Sequence, residues 1–180
     1  MSTKKRGGDA AAAAEQFYGE FSPCGQFRYL LVHIWDASKP VLPWILFNPS
    51  QAGRVTEQGV VKSDPTARKG RGFSERMGYG GMVFCNAFAY IATEPADLRK
   101  GGYQVGPDND SKILQACAMG TGDVMVAWGA LGRGLARPQE VSRMVRKAGY
   151  RTLALGRTDD GLPLHPLRLA YATLVEVFVG

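Results

Sequence analysis

Residues 44–50, Trp-Ile-Leu-Phe-Asn-Pro-Ser, decide the fold of this chain. An apolar run stops abruptly at Asn48-Pro49-Ser50, with Gly53 close behind. A run of that length suits a strand buried on both faces, and proline ends it because it has no amide to give to a ladder. A polar residue at the C-terminal end of such a strand stands where open α/β sheets build their ligand sites.

Outward from that stretch, aromatic and β-branched residues over 26–35 read as an earlier strand. Asp36-Ala-Ser-Lys-Pro40 supplies a turn, so 26–35 and 41–47 are expected to pair as neighbours. Asp64-Pro65-Thr66 is a helix start: Asp64 caps, and Pro65 fills the first helical position, where a missing N–H costs nothing. That helix should stop near Gly78. Residues 82–88 form a second buried strand, followed by a long loop through Val105-Gly106-Pro107. Asp108 or Asp110 then caps a helix running through Ala118. Residues 124–128 are a third strand, Pro138 opens a helix, and 153–155 are a short fourth strand. A last helix starts at Pro166 and carries Leu167, Ala170, Tyr171 and Leu174.

Strands alternating with helices imply parallel pairing, because a parallel connection needs a long crossover. The expected fold is therefore α/β: a three-layer αβα sandwich with a four-stranded, mainly parallel sheet plus an N-terminal antiparallel strand. One domain covers 16–180, and residues 1–15, with Lys4-Lys5-Arg6 and an alanine run, read as a mobile tail.

The 180 residues are 45 % apolar, as in a globular protein with a sizeable core. No apolar run is long enough to span a bilayer, and the alanine run is too short for a signal-peptide core. Cys24, Cys85 and Cys117 are odd in number and lack paired metal-ligand spacing. A cytoplasmic protein with reduced thiols and no structural metal is expected. Net charge is +6, with an isoelectric point near 9.4. Basic residues gather around 54–76 and 133–157, a balance that suits nucleic acid or a nucleotide, or else marks solvated helix faces. Arg54, Arg68, Lys69, Arg71, Arg133, Arg157 and Arg168 are the candidate phosphate contacts.

Every expected parallel strand ends in a polar or glycine-containing loop, so these loops should meet in one crevice. Asn48 either orients a water or a substrate amide, or closes an Asx turn. Asn86 interrupts an apolar strand, where an unpaired amide is costly. It either anchors a loop or faces a ligand with donor and acceptor edges, as a nucleobase has. His165 precedes Pro166 at a helix start, where an anion is favoured, or else it caps the loop. Gly129-Ala-Leu-Gly132-Arg133-Gly134 lacks the Gly-Lys-Ser/Thr ending of a phosphate loop, which argues against nucleotide triphosphate hydrolysis.

Several motifs together resemble a bacterial and phage domain family of unknown function. They are Asn48-Pro49-Ser50, Asp64-Pro65-Thr66, Gly78-Tyr79-Gly80-Gly81, Asn86-Ala-Phe88-Ala-Tyr90, Val105-Gly106-Pro107-x-Asn109-Asp110, Trp128-Gly129 and His165-Pro166-Leu167. More distantly, a strand ending in Asn-Pro, a second strand carrying Asn and a late His-Pro resemble, in their order, the uracil-DNA glycosylase superfamily. That resemblance implies an enzyme that flips a modified or damaged pyrimidine out of DNA and cleaves its N-glycosidic bond without a cofactor. By position, it implies water positioning by Asn48, base reading by Asn86 and stabilisation of the departing base by His165. Phe47 or Phe88 would stack on the base, with Pro49, Ser50 and Tyr90 beside it. Two positions depart from that pattern: Leu46 replaces a glycine, and Leu167-Arg168 replaces the serine that would contact a phosphate. Two other readings stand beside it: a non-catalytic module binding nucleic acid or nucleotide in the same crevice, and an enzyme on free nucleosides or nucleotides.

Overall fold

The computed structural model describes residues 14–58 and 60–180. Among the described residues, seven strands form one mixed sheet: β1 (Gln16–Phe21), β2 (Arg28–Ile34), β3 (Val41–Leu46), β4 (Gly81–Asn86), β5 (Asp123–Val126), β6 (Arg151–Ala154) and β7 (Glu176–Val177). Their spatial order is β1-β2-β4-β3-β5-β6-β7. The four central strands, β4, β3, β5 and β6, run parallel; β1 and β2 on one side and β7 on the other are antiparallel. The α/β expectation holds. The sheet, however, is larger and more mixed than a four-stranded one with a single antiparallel strand, because β1 and β7 were not anticipated.

The helices are α1 (Pro65–Arg76), α2 (Pro95–Lys100), α3 (Asn109–Ala118) and α4 (Ala136–Lys147). They cover both faces of the sheet. Ala67 and Phe73 of α1 pack with Leu42, Trp44, Leu46, Met82, Phe84 and Met125 on one face. Ile113 and Cys117 of α3 and Val141 and Val145 of α4 pack with Ile45, Val83, Cys85 and Val126 on the other. Strand alternation explains the split, since neighbouring residues of one strand face opposite sides.

Three expectations need correcting. β2 does not pair with β3; β4 lies between them. The chain crosses the start of β4 through Gly80, whose carbonyl accepts from both Trp35 N and Asp36 N at 2.9 Å. A Cβ on Gly80 would lie 2.0 Å from the Asp36 carbonyl oxygen, so only glycine permits this crossing. Second, the helix expected from Pro166 is a single 3-10 turn, Pro166–Arg168, with Leu169 already extended. Tyr171 instead lies against Phe73 of α1, with ring centroids 5.0 Å apart, and this packing overrides the helical pattern. Third, α4 starts two residues before Pro138, after Leu135.

Of the expected tail 1–15, residues 1–13 lie outside the described residues. Glu15 is anchored, its carboxylate accepting from His33 and from Arg71, the latter at 2.6 Å. The α1 start is as expected: the Asp64 side chain accepts from Ala67 N at 2.7 Å and Pro65 opens the helix. Among the described residues, no helix is long and apolar enough to cross a membrane.

Candidate functional site

Two adjoining cavities lie beyond the C-terminal ends of the parallel strands. The larger, about 740 Å³, is lined by Trp128, Gly129, Ala130 and Leu131 after β5 and by Thr158, Leu164, His165 and Leu167–Leu169 after β6. The smaller, about 100 Å³, is lined by Arg28, Leu46, Phe47, Asn48, Ser50, Asp64, Thr66, Phe84, Leu131 and His165. Leu131 and His165 belong to both walls, so the expected convergence of loops takes the form of one crevice with a wide apolar part and a narrow polar part.

Asn48, Ser50 and His165 of the narrow part are held by the fold. Asn48 donates from Nδ2 to the carbonyls of Ala92 at 2.8 Å and Pro49 at 3.2 Å, which fixes the loop after β3 and leaves Oδ1 as its acceptor. Ser50 Oγ donates to Asp64 Oδ2 at 2.5 Å, tying the Asn-Pro-Ser loop to the start of α1. His165 is positioned by the loop after β5: Gly129 N donates to Pro163 O at 2.9 Å, and a Cβ on Gly129 would lie 3.0 Å from His165 Cβ. Leu167 N donates to His165 Nδ1 at 3.4 Å, so the ring proton of the neutral imidazole resides on Nε2. Burial pushes the His165 pKa below its ordinary value, opposed by the Asp64 charge, so the ring is neutral at pH 7. The single 3-10 turn after it supplies no long helix dipole; what His165 offers an anion is its Nε2–H.

Asn86 is fully buried, and neither its Oδ1 nor its Nδ2 has a partner among the described residues. It follows Met82 and Phe84 in strand alternation, which puts it on the α1 face, opposite Leu46 of β3 in register. It is not itself on the wall of either cavity; Leu46 and Phe84 are. The backbone around it is pinned instead: Asn109 Nδ2 donates to the carbonyls of Asn86 at 2.9 Å and Ala87 at 3.2 Å.

The remaining candidates divide. Phe47 lines the narrow cavity, edge-on to Phe88 at 5.3 Å. Phe88 is buried between Phe47 and Tyr103 and offers no free face. Pro49 is buried beside Asn48. Tyr90 lies in a separate depression with Arg54, Gln26 and Gln51. Several basic residues are already engaged. Arg54 donates to Gly25 O at 2.5 Å, Arg71 pairs with Glu15 and Glu75, Arg133 with Asp160, and Arg157 with Glu176. Lys69 lies 4.0 Å above the Tyr171 ring. Arg68 is exposed on a third cavity beside Arg71, and Arg168 is exposed on the wall of the wide one. Among the described residues, no cluster of three His, Cys, Asp or Glu side chains has the geometry of a metal site. Cys85 and Cys117 are buried and their thiols are pushed up by desolvation, Cys117 to about 12.

Sequence reasoning missed Arg28, Thr66 and Leu131, and took Asp64 only as a cap. Arg28 did leave a signal, as the single charge between Phe27 and Ile34 apart from the titratable His33. It is 2 % exposed. Burial lowers its pKa to about 10, with the Asp64 charge partly offsetting that loss.

A family model described as a protein of unknown function, DUF1643, matches residues 28–167, and the chain belongs to that family. No curated protein matches the chain, and no solved structure does.

Proposed function

We propose that this member of the DUF1643 family hydrolyses the N-glycosidic bond of a modified or damaged pyrimidine in DNA, with the base drawn out of the helix into the crevice. The observation that carries the reading is His165, a neutral imidazole on the wall shared by the two cavities, with Nδ1 engaged and Nε2–H without a partner among the described residues. Helices on both faces of four adjacent parallel strands support the three-layer αβα likeness to the uracil-DNA glycosylase superfamily.

In this reaction the C1′–N bond breaks with its electron pair going to the base. A water oxygen bonds to C1′ and gives up a proton, and the base takes up a proton on release. Negative charge therefore grows on the base oxygen nearest the bond. A fixed N–H donor aimed there, in a site shielded from water, lowers the barrier without prior reorganisation. His165 Nε2–H is that donor. Asn48 Oδ1 orients the water, and the Asp64 carboxylate on the same wall favours the positive charge developing on the sugar. The nucleoside enters by the wide cavity, with the edge of its base turned towards the narrow one; Phe47 bounds that narrow part. Arg68 and Arg168 are the candidates left to meet phosphates.

Duplexes carrying a panel of modified pyrimidines, scored for abasic sites, test the reading. Removing one such donor costs about 10²–10³ in rate, so His165→Ala should lose at least that much and Asn48→Ala a measurable part. A panel without abasic product, or product unaffected by both substitutions, would refute it. A second reading, an enzyme acting on free nucleosides or nucleotides, gains from one observation. Four of the seven basic candidates are bound internally or paired, which leaves little cation density for a DNA strand.

A further inference from the structure

Arg28 is the residue whose surroundings the proposed reaction does not explain. A guanidinium carries five N–H donors. Among the described residues it makes a single hydrogen bond, from Nη1 to the Ala52 carbonyl at 2.9 Å, and its buried Nε has no partner. It takes part in no ion pair among those residues, although Asp64 is close enough to influence it electrostatically. Buried charges are ordinarily paired or fully hydrogen-bonded, because the desolvation they suffer is large. Arg28 is 2 % exposed, and it lines the narrow cavity.

The rest of that wall supplies further donors. Thr66 is the second residue of the twelve-residue α1, and neither its amide N–H nor its hydroxyl is hydrogen-bonded among the described residues. The positive end of the α1 dipole lies there as well. His165 contributes its Nε2–H. One feature opposes an anion, the Asp64 carboxylate on the same wall, but each of its oxygens is already engaged, one by Ala67 N and the other by Ser50 Oγ.

We infer that the narrow cavity binds an oxyanion carried by the ligand, a carboxylate or a phosphate group, with Arg28 as its counter-charge. This rests on the crevice being a nucleoside site as proposed above. About 100 Å³ admits a group of that size and excludes a second ring system. A substituent on the base edge turned towards the narrow cavity would meet Arg28 directly. The same chemistry serves the phosphate of a free nucleotide, so two sources must be told apart.

Two matched pairs do so: duplexes carrying 5-carboxycytosine or 5-methylcytosine, and deoxycytidine 5′-monophosphate or deoxycytidine. Binding is measured for the wild type, Arg28→Met and Arg28→Lys at matched ionic strength, with a thermal melt of each variant to verify folding. The oxyanion-bearing member of one pair should bind about 30-fold tighter or more, a preference erased by Arg28→Met and largely kept by Arg28→Lys. In the wild type, inorganic phosphate should compete where chloride does not, a readout that needs no variant. A preference confined to the duplex pair makes the oxyanion a base substituent. A preference confined to the nucleotide pair supports the oxyanion site while the DNA glycosylase reading fails. Abasic product from the panel without any oxyanion preference, or a preference of equal size in Arg28→Met, would overturn the inference and leave the glycosylase reading standing.

Discussion

Two glycines of α1 invite the same substitution with different outcomes. An ideal Cβ on Gly70 would lie 2.3 Å from Cζ and 2.8 Å from Cε1 of Phe84, with Met82 Sδ at 3.3 Å. Phe84 cannot yield: it is 1 % exposed and its ring lies 5.8 Å from that of Trp44. Alanine gains about 1 kcal/mol of helix propensity over glycine, but overpacking a closed core costs about 1–3 kcal/mol. With its Cβ well inside contact distance of a fixed ring, Gly70→Ala takes the upper part of that cost, about 2–3 kcal/mol, and should destabilise by about 1–2 kcal/mol net, a fall in Tm of roughly 2–8 °C for a chain of this size. At Gly72 the Cβ would meet Tyr171, 2.5 Å from Oη and 2.7 Å from Cζ. Tyr171 is 37 % exposed and its hydroxyl has no hydrogen bond among the described residues, so it can swing outward. A small swing loosens, without breaking, its contacts with Lys69, Arg76 and the Phe73 ring, and losing part of interactions worth about 0.5–1 kcal/mol each roughly cancels the propensity gain. Gly72→Ala should stay within about 0.5 kcal/mol of the wild type. Urea titrations followed by circular dichroism decide the matter, provided the m-values agree. If Gly70→Ala proves as stable as Gly72→Ala, the close seating of α1 on β4 is not what Gly70 provides. Because Phe84 also lines the narrow cavity, Gly70→Ala should weaken ligand binding as well.

Three further outcomes follow from the site. The folded pKa of His165 lies below the unfolded value of about 6.5, so stability held by the neutral ring is complete above that value and is lost as pH falls from it towards the folded pKa. The proposed base excision should accordingly keep its rate from neutrality down past about pH 6.5, and an acid limb at or above that value would contradict a neutral His165. Asn86→Leu replaces an unpartnered buried amide by an apolar side chain and should raise stability by about 1–2 kcal/mol in denaturant titration; a loss of that size would mean the amide is satisfied in solution. Asp64→Ala removes both the α1 cap and the Ser50 bond and should cost about 1–2 kcal/mol, whereas Asp64→Asn should retain most of that in a thermal melt.

What was legible in the sequence is what local chemistry determines. Pro49 after an apolar run marked the end of β3, and Asp64-Pro65 marked the start of α1, because capping and ring constraints act within a few residues. Pairing partners are a long-range property. Nothing local says that β4 will slip between β2 and β3; that follows from Gly80, where the absence of a Cβ lets the 35–40 connection cross. The edge strands β1 and β7 gain their structure from the neighbours they meet, and the helical spacing after Pro166 yields to Tyr171 seated against Phe73.

The motifs, for their part, are tied to one another. Ser50 bonds to Asp64, Asn48 to the carbonyl of Ala92, and Asn109 to the carbonyls of Asn86 and Ala87, while Arg137 donates to Ala87 O at 3.0 Å. Part of the pattern thus holds the crevice together without entering it. Arg28 and Asn86 behave differently. Both are buried with polar atoms unsatisfied, so each makes the folded chain less stable than an apolar residue of similar size would. For Asn86 the cost remains unexplained by any cavity wall. For Arg28 the open side is the narrow cavity, and a buried charge left short of partners while lining a cavity is the one that the inferred oxyanion would satisfy. The position least like its neighbours in the apolar stretch 27–34 is therefore the one from which the ligand's charge can be read.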